Sequence, residues 1–304
     1  MKIYEPCLEN KDLLDKYLIY NTFPGCELSA ANNILWGSFF HAGFTIIEDM
    51  LVFCKLEEGR PVMMSFPIGE HDPRVAFDRI IEYFAKEGLP VKLYLVEEKM
   101  FELIESWYPG VYEISYDRDE ADYLYLRETL VRLQGKKLHG KRNHINRFLE
   151  NHPDYVYEKI DDENVADCLE LSAVWDEENN AEHDEEKSYE RKALEYALCH
   201  RRELGLIGAL IRVDGKAVAF TLGERLTEDT FVVHFEKAYA DVQGAYPMIN
   251  REFVKRELKG YKYVNREEDM GIPGLRHAKT SYQPIRLVEK GIVTLRQEQS
   301  QGGS

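Results

Sequence analysis

Apolar positions along this chain recur in two rhythms, one of period two and one of helical period. The run LIGALIRVDGKAVAFTLGERL, Leu206–Leu226, predicts a β-hairpin turning at Asp214-Gly215, a pair suited to a tight turn with positive φ. TFVVHFEKA, Thr230–Ala238, predicts a third strand. Met248, Ile249, Phe253, Val254 and Leu258 then share one helical face, Gly260 stops that helix, and Tyr261–Val264 predicts a further strand. Upstream, DYVYEKI from Asp154 reads as a strand, with helices around Val165–Trp175 and Tyr189–Leu204. IRLVEKGIVTLR closes the pattern with one or two strands.

The first half repeats this order more loosely. Helices near Lys11–Tyr20 and Ser29–Phe39 precede a hairpin, GFTIIEDMLVFCKL, turning at Glu48-Asp49. A strand, RPVMMSFPI, leads to the amphipathic DPRVAFDRIIEYFAKEG, with Pro73 in its first turn. PVKLYLV, EKMFELIESWY, VYEISY and ADYLYL continue as strand, helix, strand and strand. Such repetition predicts an α/β (α+β) chain of two tandem units, each a mixed, largely antiparallel sheet flanked by helices. Residues 1–130 are expected to be structural, and residues 131–304 to carry the active cleft. The order resembles the Gcn5-related N-acetyltransferase (GNAT) fold. That resemblance implies a sheet splayed between its fourth strand, TFVVHFEKA, and its fifth, YKYVN, with an acyl donor entering the gap.

Composition narrows the partners. A net charge of −16 over 304 residues argues against indiscriminate binding to nucleic acid or anionic membrane. No apolar run approaches the ~20 residues that span a bilayer, and MKIYEPCLENKD lacks the features of a signal peptide. Five cysteines without a CxxC pair indicate neither a disulfide framework nor a zinc site. A soluble, cytoplasmic protein without stable membrane insertion is expected. The acidic run Asp176–Glu186, which contains His183, reads as a solvated loop with no metal, and its charge suits a cationic acceptor. The tail QSQGGS reads as a disordered end.

One segment runs against the acidity: GKKLHGKRNHINRF, Gly135–Phe148. Together with HFEKA and NREEDMGIPGLRHAKTSYQP, in this order, it resembles the phosphatidylglycerol lysyltransferase C-terminal-like family. Family members include the soluble part of membrane enzymes that move an aminoacyl group from transfer RNA to a phospholipid, and stand-alone proteins of unassigned activity. The resemblance implies an acyltransferase or aminoacyltransferase. The chain's acidity favours an acyl-CoA donor, the family an aminoacyl-tRNA. The alternative is a non-catalytic module that binds acyl-CoA or RNA in the same cleft.

Acyl transfer requires a base for the acceptor, donors for the developing oxyanion and an acid for the leaving group. Alternation along the fourth strand places Val232, His234 and Glu236 on one face. Glu236 is then the first candidate base and His234 the second; the competing role for Glu236 is a salt bridge to an arginine of the following stretch. Backbone groups of Val232 and Val233 would meet the donor. Gln243, Gly244 and Ala245 open the next helix as the phosphate contact, although this loop departs from the usual GNAT phosphate pattern. Lys141, Arg142, Asn143, Arg266, Arg276 and Lys279 are candidate phosphate or carboxylate holders. Tyr282 is the candidate leaving-group acid, and Asp269 completes the catalytic set.

Overall fold

A computed structural model describes residues 1–178 and 185–297; His183 with most of its acidic run, and the tail, lie outside the described residues. The first half begins with helices α1 (Lys11–Leu18) and α2 (Ala30–Trp36), and Ser29 caps α2 by accepting from the Asn32 N–H. Strands β1 (Ala42–Ile47), β2 (Met50–Glu57) and β3 (Arg60–Ser65) follow. Next come α3 (Pro73–Glu87), β4 (Lys92–Val96), α4 (Glu98–Trp107), β5 (Tyr112–Tyr116) and β6 (Asp122–Leu126). Asp72 caps α3, and left-handed Gly88 ends it.

The second half opens with α5 (Arg127–Arg132), α6 (His139–Asn151) and β7 (Val156–Lys159), then α7 (Val165–Glu178), α8 (Glu185–Cys199) and α9 (Arg201–Leu204). Strands β8 (Ile207–Val213), β9 (Lys216–Arg225) and β10 (Thr230–Ala238) form the antiparallel run. After it come α10 (Ala245–Arg256), β11 (Tyr263–Asn265), α11 (Pro273–Thr280), β12 (Arg286–Val288) and β13 (Gly291–Leu295). Asp214 and Gly215 both take positive φ, as the hairpin requires.

The two sheets exchange strands. One runs β1-β2-β3-β4-β13-β5, the other β12-β6-β11-β10-β9-β8-β7. IRLVEKGIVTLR therefore supplies two strands to different sheets: β12 pairs with β6, and β13 inserts between β4 and β5. Conversely β6, from the first half, lies between β11 and β12. Each sheet thus takes one strand from the other side of the expected boundary at residue 130.

Packing follows the same exchange. Phe77, Ile80 and Phe84 of α3 bury against Val52, Leu93 and Val293 of the first sheet. Phe148, Leu198, Phe220, Phe231 and Phe253 belong to the core of the second. A third apolar cluster joins Leu14, Phe44, Phe53 and Leu95 to Leu124 of β6 and Val288 of β12. The two sheets consequently share buried surface, and burial of such side chains is worth about 1.5–3 kcal/mol each.

A chain begun at Gly135 would lack β6, the common partner of β11 and β12. It is expected to lose the cooperative urea transition of the full chain and to bind a hydrophobic dye. A fragment with native near-ultraviolet circular dichroism would contradict this.

Candidate active site

The seam between β10 and β11 opens as the resemblance to the GNAT fold implies. The two strands run parallel and pair only from Thr230–Val232 against Tyr263–Asn265. Beyond Asn265 the chain stays with β6: Arg266 N–H donates to Tyr123 O, and Tyr123 N–H donates to Glu267 O, each at 3.1 Å. The continuation of β10 from Val233 onward is left without a partner strand on that side among the described residues. Val232 and Val233 sit where the strands part, and both side chains are buried.

A bulge alters the side-chain alternation. Opposite β9, Val233 pairs with Gly223 and Phe235 with Leu222, so His234 is the extra residue. A Cβ at Gly223 would lie 2.1 Å from Val232 O, so glycine is required at this close approach. The bulge turns His234 and Glu236 to different surroundings, correcting the shared face expected from simple alternation. Glu236 accepts from Asn250 of α10 at 3.2 Å, whereas His234 faces Glu224, which also receives the Ala31 N–H of α2.

Glu236 meets Arg266 across the gap. The guanidinium donates to its carboxylate at 2.8 Å, and both side chains are largely buried. The salt bridge weighed against a base role is therefore formed. Arg266 also lies 4.9 Å from the ring centroid of Tyr282, and the Lys141 ammonium lies 4.1 Å from it on α6. Tyr282 is 5% exposed and meets Tyr125 of β6 edge-on. Burial raises the pKa of its hydroxyl, keeping the phenol protonated.

His234 sits between two carboxylates, 2.8 Å from Glu267 and 3.1 Å from Glu224. Burial opposes its charge, but the hydrogen bonds to Glu224 and Glu267 outweigh it and raise the pKa to about 10. At neutral pH it is an imidazolium, with no lone pair to accept a proton. Asp269 is fully buried, held by two bonds from Arg276 and by Arg118 and the Tyr123 hydroxyl. Arg276 keeps the Asp269 carboxyl well below the usual carboxylate range. Asp269 and Arg276 clasp the loop and are already paired with each other.

The phosphate candidates separate in the same way. Lys279 donates to the Glu268 carbonyl, and burial lowers its pKa. Arg142 donates to Leu133 O and Gly135 O, tying α6 to the turn before it, and Asn143 is exposed. Of this group Lys141 and Arg266 reach the seam. Burial, then the charge of Arg266, lower the Lys141 pKa to about 8, partly opposed by the Glu236 carboxylate.

The start of α10 differs from a phosphate cradle. Ala245 N–H is donated to Val242 O, and Pro247 has no N–H to offer. Gly244 takes φ +88°, and a Cβ there would lie 2.2 Å from the His144 carbonyl of α6. α6 thus packs against this turn; Gln243 is exposed.

Sequence reasoning missed several groups near the seam. Lys290 lies among Glu27 (2.6 Å), Asp122 (2.9 Å) and Glu268 (3.4 Å), with the Cys26 thiol at 3.9 Å. Burial opposes its charge, but Asp122 and its neighbours hold it protonated. Lys237 of β10 pairs with Asp176 at 3.0 Å beneath Trp175. Tyr123, Tyr125 and Asp122 come from the first half; their alternation marked a strand, but nothing local marked its destination.

The parallel pairing, the splay and the bulge define a GNAT-like acyltransferase fold. Residues 22–293 match the family described as phosphatidylglycerol lysyltransferase, C-terminal, and the chain belongs to that family. A conserved protein of unknown function from Bacteroides thetaiotaomicron superposes with a TM-score of 0.90, at 38% identity, over 97% of this chain and 100% of that one. The C-terminal domain of a putative lysylphosphatidylglycerol synthetase from Agrobacterium fabrum gives 0.65 at 15% identity, over 95% and 92% of the two chains. L-PGS from Bacillus licheniformis gives 0.62 at 16%, over 96% and 92%. An uncharacterized protein of Mycoplasmoides gallisepticum is 23% identical over 192 residues, 62% of this chain and 61% of its own length. The match therefore spans about three fifths of that relative. Among the described residues, no helix is long and apolar enough to cross a membrane.

Asp269→Asn should destabilise the fold by about 1.5–3 kcal/mol, since it removes the buried carboxylate that accepts from Arg276, Arg118 and the Tyr123 hydroxyl; urea unfolding measures this. For His234 the folded-state pKa is raised, so its charge contributes fully below about 6.5 and the contribution is lost as pH rises through about 10. The stability gap between the parent chain and His234→Gln should accordingly narrow between those values.

Proposed function

We propose that the chain is an aminoacyltransferase that moves an aminoacyl group from transfer RNA, at the β10–β11 seam, to an amine or hydroxyl acceptor. The observation carrying the choice of donor is the start of α10. A CoA pyrophosphate needs several free amides at such a terminus. Here Ala245 N–H is spent on Val242, Pro247 lacks one, and α6 abuts Gly244. That arrangement disfavours the acyl-CoA donor that the acidity had suggested.

α6 supports the RNA reading from the other direction. Lys136, Lys137, His139, His144 and Arg147 are exposed on or just before it, a basic face on an acidic chain. Phosphates gathered there would direct the acceptor end of an RNA towards Lys141, the α6 residue that reaches the seam. Arg266, Tyr282 and the unpaired backbone edge of β10 surround the position for the donor's carbonyl, and membership of the lysyltransferase family agrees with an aminoacyl ester.

The test compares lysyl-tRNA in filter binding with CoA in calorimetry. Lysyl-tRNA should bind in a salt-dependent manner and CoA should not bind. Replacing Lys136, Lys137 and Arg147 together by Gln should flatten the log–log salt slope by about two to three. Stoichiometric CoA binding that shifts the Tyr246 amide in nuclear magnetic resonance spectra would overturn the choice of donor.

A further inference from the structure

We propose that Lys141 is the general base of this site, taking the proton from the acceptor as it attacks the donor's carbonyl. The role rests on reading the seam as an acyl-transfer site. Three other groups are removed by their contacts. Glu236 is held by Arg266 and Asn250, His234 already carries two carboxylate partners, and Asp269 is enclosed by Arg276, Arg118 and Tyr123.

Lys141 differs from the paired ammonium groups of Lys237 and Lys290. Among the described residues no carboxylate lies within ion-pair distance of it, whereas Lys237 and Lys290 are each enclosed by acids. It projects from α6 over the face of Tyr282, half-buried. The charged and titratable groups around that position are Arg266 beyond β11, Glu236 on β10, Tyr282 after α11 and, behind it, Tyr125 on β6. Arg266 repels a second cation, while its own bond to Glu236 spends the nearest negative charge. An amine that loses its proton more readily beside a fixed guanidinium suits proton abstraction once it is deprotonated, and the guanidinium supplies positive charge for the developing oxyanion.

The proton balance closes within the site. The acceptor's lone pair forms a bond to the carbonyl carbon, the C=O pair moves to oxygen, and the acceptor's proton passes to Lys141 Nζ. Collapse restores the C=O and breaks the bond to the ribose oxygen of the RNA. That oxygen takes a proton back from the Lys141 ammonium, which returns to the neutral amine.

Two measurements test the role, with glycerol as a hydroxyl probe. Competitive acetylation read by mass spectrometry should give Lys141 a midpoint near 8, against about 10.4 for exposed lysines, and Arg266→Gln should move it upward. Discharge of lysyl-tRNA to glycerol should rise with pH, half-maximal near that midpoint, to a plateau above it. Lys141→Met should slow it by about 100-fold or more at saturating lysyl-tRNA. Lys141→Arg, which keeps the charge without a usable lone pair, should be equally slow, and added ethylamine should partly restore Lys141→Ala. A Lys141 midpoint among the exposed lysines, or parental discharge by Lys141→Met, overturns the role alone. A parent protein that discharges neither lysyl-tRNA nor acetyl-CoA overturns the acyl-transfer reading as well.

Discussion

The site depends on one choice made by the backbone at Asn265. After three residues beside β10, the chain gives its next hydrogen bonds to β6, and the sheet parts along a line. A strand edge left unpaired inside a protein is costly unless other groups satisfy it. Here the divergence is fixed from both sides. The Asn265 side chain donates to Pro24 O and to Asp122, anchoring the point of departure to the first half of the chain. His234, bulged out of β10, is gripped by Glu224 on its own sheet and by Glu267 on the departing strand. The opening is therefore braced rather than slack.

Charge is distributed to the same end. The chain is strongly acidic, yet the seam and its flanks are rich in cations, and carboxylates are placed to hold most of them. Lys290, Lys237, Arg276 and Arg266 each have acidic partners at hydrogen-bond distance. Removing one partner from such a buried pair leaves an uncompensated charge, so these pairs resist rearrangement. Fixed dipoles and charges of this kind need no reorganisation when charge develops on a bound carbonyl.

Much of this was legible before any coordinates. The alternating runs located the hairpins and β10, and the resemblance placed the splay at YKYVN, where Asn265 and, just beyond it, Asp269 are fully buried. The destination of strands was harder to read. ADYLYL and GIVTLR have ordinary strand patterns, and no local rule says that one belongs to the second sheet and the other to the first. The bulge was equally hidden, because Val-Val-His-Phe-Glu is compatible with regular alternation until Gly223 lets the facing backbone close in. That one extra residue separated His234 from Glu236. The partners of Asp269 and Arg276 were also out of reach, since Arg118, Asp119 and Tyr123 lie roughly 150 residues away in the chain.

The placement of β13 bears on the order in which the protein is made. The strand between β4 and β5 is the last regular element of the described chain, so the edge strand β5 stays separated from the rest of the first sheet until residues 291–295 leave the ribosome. During translation, β4 and β5 present unsatisfied edges that a neighbouring nascent chain could join. The half that emerges first is the half completed last, and premature termination near the C-terminus would damage the sheet encoded at the opposite end of the message.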